Sequence, residues 1–131
     1  MEITMDIQEK KKNKVTIQVT QDLTAEALGS GLLPVYATPA MVALIEGCAK
    51  DSLVPFLETG EGTVGVSVNI AHLSATLMGK QVTCETIVTQ VDRKKIKFEA
   101  VVTDENGLIG KGTHERFIIN NDHFMAKLKE K

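Results

Sequence analysis

Residues 38–49 read TPAMVALIEGCA, an apolar run that opens on Thr-Pro and carries a carboxylate, Glu46, in its middle. The Thr38 hydroxyl suits a helix cap, and Pro39 loses no hydrogen bond in a first helical turn, so the pair starts a helix. That helix is expected to run to about Val54, because Pro55 disfavours α geometry in the residue before it. A carboxylate in such a stretch is costly in its charged form unless it reaches solvent, finds a partner or serves chemistry.

On a helical wheel of about 100° per residue centred on Val42, the residues Ile45, Ala49, Leu53 and Phe56 form the main apolar stripe. Glu46 falls inside it and Thr38 on its edge, while Ala40, Ala43, Gly47 and Asp51 fall opposite. Glu46 is therefore expected to point at the sheet that covers the helix. Snorkelling to solvent is the alternative, but a Glu stem is short.

Strands surround the helix. KVTIQVT (Lys14 to Thr20) alternates apolar and polar residues, and the Gly- and Pro-broken stretch after it reads as a loop with one helical turn. After the Gly-punctuated turn ETGEGTVG, Val64, Val66, Val68 and Ile70 share one parity, which His72 continues. His72 is then expected on the helix-facing side unless a bulge intervenes, where it and Glu46 can share hydrogen bonds. Val82, Cys84 and Val88 alternate with Thr86 interrupting, and Ile96, Phe98, Ala100 and Val102 alternate cleanly. The turns VDRKK and DENG make hairpins, and a last strand, Leu108 to Ile119, precedes a short basic tail. The order implies an α+β fold, one long helix against an antiparallel sheet.

At 131 residues the chain reads as one domain, 1–131, able to bury a core without staples. A net charge of -2 and the absence of Trp give no support for nucleic-acid binding. Cys48 and Cys84 lie in apolar stretches without a CxxC pairing and read as reduced core thiols, with Cys48 more suited to packing than to attack. Met1 to Lys14 is polar and Lys-rich without an apolar leader segment, and no apolar run approaches the roughly 18 residues of a membrane span. The expectation is a cytoplasmic protein. His114 and His123 lack metal-ligand spacing, so no metal site is expected.

The stretches VYATPAMVALIEGCA, LETGEGTVGVSVNIAHLSAT and GKGTHERFIIN, in this order and spacing, resemble the hot-dog-fold acyl-CoA thioesterases, most closely the fluoroacetyl-CoA thioesterase-like group. The resemblance runs from about Val35 to about Lys127. It implies a hot-dog fold, an antiparallel sheet wrapped around one long helix. It implies Thr38, Glu46 and His72 as catalytic residues, Gly65 as the backbone N–H donor near the oxyanion, and Arg116 near the substrate mouth. It further implies a homodimer with sites at the subunit interface, and no cofactor, CoA being part of the substrate. Two features depart from the fluoroacetyl specialist: the segment before the catalytic Thr, where it closes its pocket with phenylalanines, here offers Leu32 and Leu33, the first Phe of the chain being Phe56, and its aromatic directly after the catalytic Glu is Gly47 here. The hydrolytic chemistry is implied; the fluoroacetyl preference is not.

Glu46 would then attack the thioester directly or act as general base on water, with His72 moving the proton. Eight residues of helix separate Thr38 from Glu46 by about 12 Å, so substrate or a partner subunit must join them. Arg116 reads equally as a surface ion-pair residue, and DRKKIK (Asp92 to Lys97) as a CoA-phosphate contact or simply a solvated hairpin tip. A non-catalytic acyl-CoA-binding or partner-binding dimer is the main rival, and an enoyl-CoA hydratase the lesser one.

Overall fold

A computed structural model describes residue 7 and residues 9–131. Of the polar stretch Met1 to Lys14 read above, residues 1–6 and 8 lie outside the described residues. Strand β1 (Lys12–Gln18) leads through a 3-10 turn to the one-turn helix α1 (Ala25–Leu28) and the long helix α2 (Thr38–Leu53). Four strands follow: β2 (Glu61–His72), β3 (Gln81–Asp92), β4 (Lys95–Asp104) and β5 (Gly107–Asn120). They form one antiparallel sheet in the order β1-β3-β4-β5-β2, with α2 against one face.

The cap of α2 differs from expectation. Ala37, extended at φ -80° and ψ 142°, is the N-cap and makes no side-chain cap bond. Thr38 is therefore already helical, and its hydroxyl is left for another partner. Val54–Phe56 continues as a 3-10 turn through Pro55.

The buried face of α2 is also turned from the wheel drawn on Val42. Met41, Leu44, Ile45, Cys48, Ala49, Ser52 and Leu53 are buried, whereas Val42 is only half-buried and Ala40, assigned to the far side, is buried. The sheet explains the turn. Its concave face carries Val82, Cys84, Thr86 and Val88 on β3, and Ile96, Phe98, Ala100 and Val102 on β4, all buried. Thr86 keeps the inward alternation, its hydroxyl 3.4 Å from the Cys48 thiol. Each such aliphatic or aromatic side chain contributes about 1.5–3 kcal/mol by leaving water. Rotating the stripe onto β3 and β4 leaves Glu46 on the flank of α2, its side chain 40 % exposed.

Strand β2 does not keep a single parity. Its pairing with β5 shifts between Gly65 and Ser67, leaving Val66 as a bulge. Thr63 and Gly65 face the helix before the bulge, as their contacts with Arg116 and Glu46 show. Val68, Ile70 and His72 share the concave face after it, opposite His114, Gly112 and Gly110. The expected inward placing of Val64 and Val66 is thus corrected: Val66 is 57 % exposed. One extra residue in a strand exchanges faces on either side of it.

The basic tail is not a tail. Asn121–Lys129 forms helix α3, capped by the Asn120 side chain, which accepts from the His123 N–H at 3.0 Å. Both hairpins are as expected, Arg93 taking φ 57° in the first and Gly107 φ 125° in the second.

Candidate active site

Two polar groups line the concave side, one at the N-terminus of α2 and one at its middle. At the first, Thr38 Oγ1 lies 2.7 Å from His72 Nδ1. The other ring nitrogen, Nε2, is buried with no partner among the described residues, and so is the Tyr36 hydroxyl. Tyr36 meets the His72 ring edge-on at 6.3 Å. A cavity of about 350 Å³ opens here, lined by Tyr36, Thr38, His72 and Ser74 among others. Burial pushes the Tyr36 phenol up, so it acts as a neutral donor and not as an anion.

The second group centres on Glu46. Its Oε2 lies 3.4 Å from Arg116 Nη1, and the other oxygen takes no hydrogen bond from the described residues. Arg116 is 6 % exposed, so the surface ion-pair reading is corrected. Its Nε donates to Thr63 Oγ1 at 2.9 Å and its Nη2 to the Thr63 carbonyl at 3.1 Å. Burial lowers the guanidinium's basicity and Glu46 opposes that, leaving an arginine that stays charged. Gly65 matters for space here: a Cβ on it would stand 2.5 Å from Glu46 Oε2. Only a bare backbone lets the carboxylate lie against β2 at this point.

The expected Glu46–His72 pair is not formed. His72 bonds Thr38, and Glu46 bonds Arg116. Within one chain the structure therefore joins Thr38 with His72, and Glu46 with Gly65 and Arg116, but does not join the two groups. The charged hairpin DRKKIK also pairs locally: Arg93 with Asp92 at 3.2 Å, and Lys95 and Lys97 with Glu115 at 3.5 and 3.7 Å.

One residue of this site was not singled out for it from the sequence. His114 is buried, with Nδ1 2.8 Å from the Ser67 carbonyl and Nε2 3.2 Å from Arg116 Nη1. The signal was present in β5, where Gly110, Gly112, His114, Arg116 and Ile118 all fall on one parity.

A five-stranded antiparallel sheet with one long helix in its concavity is the hot-dog fold. A hot-dog-like protein of Thermanaerovibrio acidaminovorans matches it at a TM-score of 0.90, covering 99% of this chain and 96% of its own at 20% identity. The chain belongs to the fluoroacetyl-CoA-specific thioesterase family (FlK), whose family profile matches residues 19–122. The fluoroacetyl-CoA thioesterase of Streptantibioticus cattleyicolor is 35% identical over 97 residues, 74% of this chain and 70% of that protein. A solved structure of fluoroacetyl-CoA thioesterase FlK is 29% identical with a TM-score of 0.90, covering 95% of this chain and 97% of its own. A Thermus thermophilus protein described as a thioesterase superfamily member is 30% identical with a TM-score of 0.87, covering 95% and 92% of the two chains.

Proposed function

We propose that this protein hydrolyses acyl-CoA thioesters with small acyl groups, giving a carboxylic acid and CoA, and that Thr38, Glu46 and His72 are its catalytic residues. The observation that carries the reading is Glu46: one oxygen is fixed by a buried arginine against a bare glycine, and the other is free to react. An oxygen nucleophile adds to the thioester carbonyl, the C–S bond breaks, the departing thiolate takes up a proton, and water supplies the second oxygen of the acid. Glu46 serves this either by removing the water's proton or by attacking to form an anhydride that water then opens. His72 moves the proton through its unpartnered Nε2 while Thr38 orients the ring, and the Gly65 N–H serves the developing oxyanion. No cofactor enters; CoA belongs to the substrate.

The same reading makes the protein a homodimer. β2 is an edge strand, hydrogen-bonded on one side alone among the described residues, and its Val66 is 57 % exposed. Leu32, Leu33, Leu73 and Leu77 are exposed as well, at 90%, 63%, 52% and 61%. A second copy covers such a surface and brings its own Glu46 toward the Thr38–His72 group, completing a site that one chain leaves in two halves. Buried free thiols at Cys48 and Cys84 suit a reducing cytoplasm, where CoA thioesters are also found.

Thiol release from short, long and aryl acyl-CoAs tests the activity. Release from none of them would leave a binding module, and water addition without release a hydratase. Mixing Thr38→Ala with Glu46→Gln chains tests the shared site: subunit exchange should restore about a quarter to a half of one wild-type site's turnover per dimer. No recovery above the separate variants would refute it.

A further inference from the structure

We infer that His114 is a positioning residue for Glu46: its ring, fixed by the Ser67 carbonyl beside the β2 bulge, accepts from Arg116 and so sets the guanidinium that holds the carboxylate. The inference rests on the thioesterase reading above, whose Glu46 it concerns.

Donor and acceptor roles here follow from chemistry alone. Arg116 has only donors, so Nη1, 3.2 Å from His114 Nε2, must donate to it. Nε2 therefore carries a lone pair. The Ser67 carbonyl can only accept, so Nδ1, 2.8 Å away, carries the proton. The two contacts fix one tautomer of a neutral imidazole. A proton added at Nε2 would remove the acceptor and set a second cation against the guanidinium. Burial, first, and Arg116 hold His114 below its ordinary basicity, against the opposing pull of Ser67, Glu46 and Glu115.

Each part is held by a neighbouring element. The bulge interrupts the regular ladder at Val66, and the carbonyl that meets the His114 ring belongs to the next residue. From β4, Phe98 stacks on the ring at 6.0 Å and 26°. The charged groups around the ring are Arg116 and Glu115 on its own strand and Glu46 from α2; Phe98 of β4 is apolar. Thr63 holds the Nε and Nη2 edge of Arg116, but the nitrogen that faces Glu46 is Nη1. Nη1 has two partners: a half-exposed carboxylate at 3.4 Å and the buried His114 ring at 3.2 Å. The ring is the rigid one of the two.

Two variants separate positioning from packing. His114→Phe keeps a ring on Phe98 but removes both polar atoms, whereas His114→Gln keeps an amide that donates to Ser67 and accepts from Arg116. Measured on folded protein well below the melting temperature, His114→Phe should lower kcat about ten- to a hundredfold with KM changed less than about threefold. His114→Gln should return kcat to within about fivefold of wild type. A phenylalanine variant within threefold of wild-type kcat, or a glutamine variant no better than phenylalanine, overturns the inference. Should His114→Phe not fold, ¹⁵N spectra of the wild-type imidazole decide instead. A neutral ring protonated at Nδ1 at pH 7 is expected, and a proton on Nε2 overturns the placement. Absence of thiol release by the wild type would strike the hydrolase reading, and the ring spectrum would still decide the tautomer.

Discussion

Replacing Gly65 with alanine puts one methyl where the structure leaves least room for it. The added Cβ would lie 2.5 Å from Glu46 Oε2, 3.5 Å from the carboxylate carbon and 3.4 Å from Arg116 Nη1. Ordinary carbon–oxygen approaches stop at about 3.3 Å, so the carboxylate must retreat by about 0.8 Å. A displacement of about 1 Å in a reacting group costs on the order of a hundredfold in rate, nearly 3 kcal/mol of barrier. Stability responds differently. The Glu46 side chain is 40 % exposed and can swing outward, so the core does not have to move. Arg116 is buried but keeps its bonds to Thr63 and His114 when the carboxylate swings away, so loosening the pair costs on the order of 1 kcal/mol. Gly65 is not among the glycines of positive φ, so alanine fits its backbone and regains about 0.4–1 kcal/mol from the unfolded chain. The expected result is a kcat lower by about a hundredfold with an unfolding free energy within about 1 kcal/mol of wild type. Thiol-release kinetics and urea unfolding on the same sample measure both. A kcat within threefold of wild type would refute the argument, because the carboxylate would then not be needed where Gly65 lets it lie.

Glu46→Gln should remove at least 99% of turnover, in line with a reacting carboxylate, and change stability by only about 1 kcal/mol, since Arg116 keeps its bonds to Thr63 and His114. Near-wild-type turnover with a loss of 3–5 kcal/mol, the cost of breaking a buried pair, would make Glu46 architecture instead. Fluoroacetyl-CoA should be preferred over acetyl-CoA by less than about a hundredfold in kcat/KM, because no phenylalanine precedes Thr38 to close the pocket; a larger ratio would overturn this expectation. Stability should also depend on pH through His114. Its folded basicity is below the ordinary 6.5, so below about that pH the unfolded chain takes up a proton that the folded chain resists. Its contribution is complete above 6.5 and is lost as pH falls. Urea midpoints at pH 7.5 and 5.5 should differ less in His114→Gln than in wild type, and an equal difference would count against the assignment.

Much of this architecture is legible in the residues themselves. Ile96 to Val102 alternates without interruption, the two hairpin turns carry suitable residues, and Thr-Pro followed by an apolar run marks α2. What was hidden depends on partners distant in sequence. The face of α2 is chosen by where β3 and β4 place Val82, Cys84, Phe98 and Val102, and a wheel drawn from the helix alone is off by about one residue. Val66 has strand propensity like its neighbours, so nothing local marks it as the bulge. Helix α3 was missed because its lysines outweighed the Asn120 cap and the i, i+4 pair Phe124 and Leu128. At the site, the chain's own pattern placed Thr38, Glu46 and His72 along the helix and its facing strand, but Thr38 and His72 bond each other, and the partner of Glu46 was set by β5, whose buried His114 and Arg116 look like any charged strand segment.

The bulge at Val66 also bears on what β2 accepts as a neighbour. A long, flat strand with open hydrogen-bonding groups is a template for any extended peptide, its own misfolded copies included. β2 spans Glu61–His72 at the border of the sheet, yet it is not flat, because the twist changes at the bulge. An arbitrary strand laid along it finds register with one half and loses it with the other. In the homodimer proposed above, a two-fold axis placed at the bulge would set one interruption against the other, which no unrelated strand can do. The irregularity thus guards the border of the sheet, leaving a stray strand only half a ladder to hold.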